Sequence, residues 1–144
     1  MYKIINRQGS LSINKNKAWH VKNKLDQKLL KKGAKILVGT HNFSTFRAST
    51  CSARSPIKKM NSVKVHKKGE NISITFKSKS FLQNQVRSMV GCLKYVGESK
   101  WKPEKIREIL KLKKRSYCAP PAPPEGLYLK KVIHHLHVIY LHDF

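Results

Sequence analysis

The chain has 144 residues, with 31 Lys plus Arg against 7 Asp plus Glu and a formal charge of +24 at neutral pH. That length suits one modest domain rather than two, and a hydrophobic content of 40% argues against wholesale disorder. No run approaches the roughly 18 apolar residues of a membrane span, and Met1 to Arg7 lacks the apolar core of a signal peptide, so a cytoplasmic chain is expected. Cys51, Cys92 and Cys118 form an odd set without C-x-x-C spacing, which encodes neither a disulfide framework nor a cysteine-rich zinc site. Between Asp26 and Glu70 no acidic residue occurs, while lysines and arginines recur throughout. Such a stretch favours a polyanion through counterion release, with nucleic acid ahead of a membrane surface or an acidic protein.

In chain order, Tyr2-Lys3-Ile4-Ile5-Asn6 predicts a short strand, followed by a polar, irregular stretch from Arg7 to Lys24. Asp26 can cap a helix over about 26 to 38, where Leu29, Leu30, Ala34, Leu37 and Val38 recur at three- and four-residue steps and Gly39 stands at the left-handed C-terminal position. His41 to Arg47 predicts an aromatic turn, and Cys51 to Pro56 a small-residue loop. Ile57, Val63 and Val65, then Ile72, Ile74 and Phe76 beyond the Lys68-Gly69-Glu70-Asn71 turn, predict a hairpin with one buried face. Ser80 can start a second helix whose stripe runs through Leu82, Val86, Met89, Val90, Leu93 and Val96 to Gly97, with Arg87 on its polar flank. Pro103 suits the first turn of a third, short helix. Ala119 to Pro124 must be extended, and Leu127 to Ile133 predicts a last strand. The order is that of an α+β domain: an antiparallel or mixed sheet with helices on one face. Residues 1–133 form the expected domain and 134–144 a His-rich tail.

The densest set of potential ligands is His134, His135, His137 and His142. Only His135 and His137 would share a strand face, with no carboxylate or thiol beside them, so a solvated tail is favoured over a metal site. Asp26 sits at a helix start, Asp143 beside the end of the sequence, and the glutamates in turns or an exposed helix. None occupies a pocket that could tune a nucleophile. The cysteines read as small semi-buried residues. Arg87 must leave its apolar stripe at an edge, and on the residues alone a guanidinium snorkelling to solvent is the simpler account, as it is for Arg47.

Taken together, several segments resemble the tRNA pseudouridine synthase A family, in family order: Tyr2 to Arg7, the Leu25-Asp26 helix start, Leu37-Val38-Gly39-Thr40-His41-Asn42-Phe43-Ser44-Thr45-Phe46-Arg47-Ala48, Cys51 to Pro56, Phe81 to Gly91, and Pro120 to Leu129. The resemblance runs from Tyr2 to about Val132. It implies the C-terminal half of a pseudouridine synthase fold, and conversion of a flipped-out uridine of the tRNA anticodon stem-loop to pseudouridine, without cofactor or metal. The implied nucleophile is an aspartate from an R-T-D-A-G-V-H-A-type segment that does not occur here, as though the reading frame begins inside a family domain. Arg87 aligns with the arginine of the M-V-R-N-I-V-G helix that pairs with that aspartate, and Tyr2 with the second aromatic of an aromatic-x-aromatic pair. Arg47, Arg54, Lys58, Lys59 and His41 are the RNA-binding candidates. The implied partners are tRNA, a second copy of the chain and a separately encoded N-terminal half, with no membrane. The alternative is a non-catalytic RNA-binding remnant of a truncated or split gene. Two motifs depart from the family: H-D-F reads His41-Asn42-Phe43, and H-H-M reads Gln83-Asn84-Gln85.

Overall fold

A computed structural model describes residues 1–11, 16–48, 55–128, 131–133 and 137–139. Its strands are β1 (Tyr2–Asn6), β2 (Trp19–Val21), β3 (Gly39–Asn42), β4 (Ile57–Lys68), β5 (Asn71–Ser78), β6 (Lys131–Ile133) and β7 (His137–Ile139), and its helices α1 (Gln27–Leu37), α2 (Gln85–Gly97) and α3 (Glu104–Leu112). The sheet runs β2-β1-β5-β4-β3. The β1–β2 pair is parallel and the other neighbours are antiparallel, and β7 joins β5 at Ser78 opposite Val138 and pairs with β6. The architecture is the α+β arrangement that the element order predicts.

One sheet face is apolar and the other polar, because side chains alternate along each strand. Tyr2, Ile4, Ile72, Ile74 and Phe76 are buried with Leu30, Leu37, Met89 and Leu93 of the helices. The opposite face carries Lys3, Ser73, His66, Lys64 and Thr75, brought side by side by the strand register. α1 packs on β4 and against both α2 and α3. Gly33 permits the approach to α2, since a Cβ there would stand 2.9 Å from Leu93 Cδ2.

Asp26 caps α1 as its position predicts, with Oδ1 accepting from the backbone N–H of Lys28 at 2.8 Å and of Leu29 at 3.3 Å. The C-terminal end differs from expectation. Val38 leaves the helix in extended conformation, and Gly39, with φ +111°, opens β3 instead of capping α1. β2 and β3 are too short for alternation to reveal them, and pairing decides both. Asn6 organises the first crossover: its Nδ2 donates to the carbonyls of Val21 at 3.0 Å and Asn23 at 2.7 Å, while Oδ1 accepts from Leu25 N–H at 2.9 Å.

In β4 the register shifts between Met60 and Ser62, so Met60 and Val63 are buried while Ile57 is 56% exposed. Simple alternation from Ile57 therefore assigns that residue to the wrong face. α2 starts at Gln85 rather than near Ser80. The Ser78 hydroxyl bonds the carbonyls of Lys59 and Ser80, Gln85 Oε1 accepts from Leu82 N–H at 2.8 Å, and Asn84 adopts φ 62° as the residue before the helix. These contacts shape residues 79–84 as a turn. The proline segment is extended over 119–123 as predicted, but Pro124, expected to be extended too, opens a short helical turn over Pro124–Gly126, where proline suits a first turn. Of the predicted last strand, Lys131–Ile133 is strand and Leu127 bridges Tyr2 separately, while residues 129 and 130 lie outside the described residues. Of the tail histidines, His137 lies in β7, opposite Ile133 of β6, and His134, His135 and His142 lie outside the described residues.

Candidate functional site

α2 and the extended segment 119–123, termed the strap, lie against each other without a spacer. A Cβ on Gly91 would meet the Pro120 carbonyl oxygen at 2.1 Å, so only glycine admits the strap backbone at this point. Arg87, one helical turn earlier, holds the strap through both its side chain and its backbone. Its Nε donates to the Ala122 carbonyl at 2.7 Å, and its own carbonyl accepts from Ala122 N–H at 2.9 Å. Nη1 reaches Asn84 Oδ1 at 3.4 Å. The guanidinium is therefore fixed by geometry rather than waving in solvent, contrary to the snorkelling account. Among the described residues the ion pairs are Arg7–Glu70, Lys94–Glu98 and Lys105–Glu108, and Arg87 is in none of them.

Tyr2 also meets the strap. Its ring is fully buried, and its hydroxyl donates to the Pro123 carbonyl at 2.5 Å. Burial, with a smaller contribution from Glu125, raises the phenol far above its usual range, and the nearby Arg87 charge opposes this in part. The phenol is thus a neutral donor under all ordinary conditions. Arg87 and Tyr2 converge on consecutive strap carbonyls.

Beside Arg87 lies a depression of about 250 Å³ lined by Phe81, Gln83, Asn84, Val86 and Leu127 among others. The Gln83-Asn84-Gln85 stretch thus forms its wall. Arg47 ends the aromatic turn, and the next residue, Ala48, donates its N–H to the Gln83 carbonyl at 3.0 Å, which ties that turn to the wall of the same depression. The Ala122 and Pro123 carbonyls are site groups that the sequence does not single out. Their one signal there is a proline-rich run, which lacks the N–H donors of a helix or a central strand.

The other RNA-binding candidates divide. His41 pairs with Lys58 and Thr40 with Lys59 across β3 and β4. Opposed residues share a face, so His41 and Lys58 lie on the helix-covered side with Met60, and Lys59 on the other. His41 Nε2 lies 2.9 Å from the Val38 carbonyl, which can only accept, so that nitrogen carries the proton. Its edge opens into a groove of about 790 Å³ between α1 and α3, walled by Lys32, Lys35, Arg107, Lys111 and Lys113 against a single acid, Glu104. A second concavity of about 390 Å³ lies over the polar sheet face, with Lys3, Lys17, His66 and Lys68 among its lining residues. Arg54 lies outside the described residues. No helix among the described residues is long and apolar enough to cross a membrane.

A geometrically fixed arginine on α2, with two cationic concavities elsewhere on the same domain, defines an α+β domain suited to a polyanionic partner. A family model described as tRNA pseudouridine synthase matches residues 34–134, and the chain belongs to the tRNA pseudouridine synthase family. It is 57% identical over 133 residues to tRNA pseudouridine synthase A of Pelagibacter ubique (strain HTCC1062), covering 92% of this chain and 54% of that relative. The tRNA pseudouridine synthase A of Methylocella silvestris is 46% identical over 132 residues, covering 92% of this chain and 53% of the relative. That of Erythrobacter litoralis (strain HTCC2594) is 43% identical over 128 residues, covering 89% and 52%. The chain spans about half the length of the curated relatives it matches.

Proposed function

We propose that this chain supplies the arginine-bearing half of a cleft that isomerises uridine to pseudouridine in the tRNA anticodon stem-loop. The observation that carries this reading is the fixing of Arg87 by Ala122 and Asn84, in no ion pair with any described carboxylate. A guanidinium held in that way can receive a carboxylate from another segment by a charge-assisted pair, orient it and keep it ionised, as a nucleophile requires. The aspartate would come from sequence beyond this chain, on the same polypeptide or a separately encoded one. Tyr2, with its hydroxyl committed to Pro123, serves as a positioning residue for the strap. Arg47 and Arg54 grip phosphates of the tRNA, Lys58, His41 and the groove behind β3 take more of its backbone, and Lys59 contacts it from the open face. The reading places the chain in the cytoplasm with its tRNA and includes a homodimer, which sedimentation at micromolar concentration would register.

The test combines the purified chain with the part of the Pelagibacter ubique relative that lies outside the matched region, and measures tritium release from tRNA carrying 5-tritiated uridine. Release is expected from the mixture, with Arg87→Ala losing roughly 100-fold or more in turnover, and Arg87→Lys recovering little because a lysine cannot make the fixed fork. Both variants should still bind tRNA with a steep salt dependence. Turnover unaffected by Arg87→Ala would overturn the catalytic reading. Salt-sensitive tRNA binding together with an inactive mixture would favour the non-catalytic remnant.

A further inference from the structure

Cys92 and Cys118 read from the sequence as unrelated small residues 26 positions apart, yet their sulfur atoms lie 3.5 Å from each other. Cys92 is on α2, fully buried. Cys118 closes the short turn Arg115–Tyr117 and is half-exposed, immediately before the strap begins at Ala119. The surroundings of the two thiols are unequal. Beside Cys118 stands Arg115, whose Nη1 is anchored on Ser88 Oγ at 3.0 Å. The Cys118 thiol is held below its usual range, chiefly by the hydrogen bond from Cys92 and further by Arg115 and Ser88, although burial opposes this. Cys92 is pushed the other way by that same bond and by burial. An accessible thiol with thiolate character beside a buried second thiol is the arrangement of an attacking and a resolving cysteine.

We propose that Cys118 and Cys92 form an oxidation site for small disulfides, which convert the pair to an intrachain disulfide that clamps the strap onto α2. The Cys118 thiolate attacks one sulfur of glutathione disulfide, forms a mixed disulfide and expels one glutathione thiolate. Cys92 loses its proton to solvent and attacks the Cys118 sulfur, expelling the second glutathione. Two protein thiols are oxidised and one glutathione disulfide is reduced to two glutathione thiols, so electrons and protons balance. The sulfurs must close from 3.5 Å to about 2 Å, a shift that the half-exposed end of the turn can supply. Gly91 already seats the Pro120 carbonyl against α2 beside Cys92, so the strap needs no rearrangement. The covalent clamp then holds Ala122, the acceptor of Arg87 Nε, from its upstream end.

The test uses the chain alone and no RNA, so its outcome is independent of the proposed activity. After incubation with glutathione disulfide and trypsin digestion without reductant, the fragments Ser88–Lys94 and Ser116–Lys130, which carry Cys92 and Cys118, should appear joined. The intact chain should be lighter by about 2 Da, two hydrogen atoms. Its Tm should rise by roughly 5 °C and fall back with dithiothreitol. Cys92→Ser should retain glutathione on Cys118, because the resolving thiol is gone, whereas Cys118→Ser should take up almost none. A wild-type chain that keeps glutathione on Cys118, links Cys118 to the Ala48–Arg54 fragment carrying Cys51, or remains unmodified would overturn the proposal.

Discussion

Around Arg87 the polar contacts are few and partly buried, and two of them are made to backbone carbonyls of a single strap. At the groove between α1 and α3, five lysine and arginine side chains face one glutamate, and none of the five has an ion-pair partner among the described residues. Under the proposed function the first region acts by position, so that a displacement of an ångström would ruin it. The second acts by summed charge, and each cation there is replaceable at a modest cost. Both lie in one domain, and under the proposed function a reacting base is held by geometry while the rest of a long polyanion is held by field.

The largest expected effect strikes the positional region. Gly91→Ala forces a methyl onto the Pro120 carbonyl, which stands at 2.1 Å from the added carbon, and should cost roughly 3 kcal/mol in urea denaturation because backbone must move. A loss below about 0.5 kcal/mol, the usual range for surface changes, would show the strap to be loosely seated and would erase the contrast.

Tyr2→Phe should cost about 1–2 kcal/mol by leaving the Pro123 carbonyl without its donor. This variant also carries a pH signature. The folded phenol lies above its ordinary value of 10.0, so its contribution is fully present below that pH and is lost as pH rises further. In that alkaline range the unfolded chain releases the proton and the folded chain does not, at on the order of 1 kcal/mol per pH unit. Denaturation followed from pH 9 upward should show a shallower alkaline loss for Tyr2→Phe than for wild type. Equal slopes would mean that the hydroxyl is not sealed.

The smallest effect on stability is expected in the groove. Arg107→Gln and Lys111→Gln should each alter unfolding by less than about 0.5 kcal/mol, yet weaken tRNA binding several-fold and reduce the salt slope by about one unit for each phosphate no longer neutralised. Titrations at several salt concentrations separate the two cases. A weakening of binding that does not vary with salt would move the groove into the positional class.

How much of this is legible in the sequence follows from the range of each interaction. α1 can be placed because its cap and apolar stripe are local, and the hairpin because its turn and alternation are local. Alternation misassigns Ile57 because the irregularity between Met60 and Ser62 leaves no compositional mark. Ser80, a good cap in isolation, misplaces the start of α2 because it lies in a turn held by Ser78 and Gln85. Arg87 stands out from its setting on an apolar helix, but the residues alone favour a solvent-exposed guanidinium. Its fixed position is hidden from any local pattern because its partner Ala122 is 35 positions away.

The sequence by itself determined the charge, the α+β order, the extended strap and the family resemblance, since these rest on composition, short-range periodicity and ordered motifs. Only the tertiary structure decided that Tyr2 and Arg87 share the strap, that His41 and Lys59 face opposite sides of the sheet, and that Cys92 meets Cys118. Each of those is a contact between segments distant in sequence or a choice between two faces. Such choices are fixed by how an apolar surface is buried, and no local pattern of residues records them.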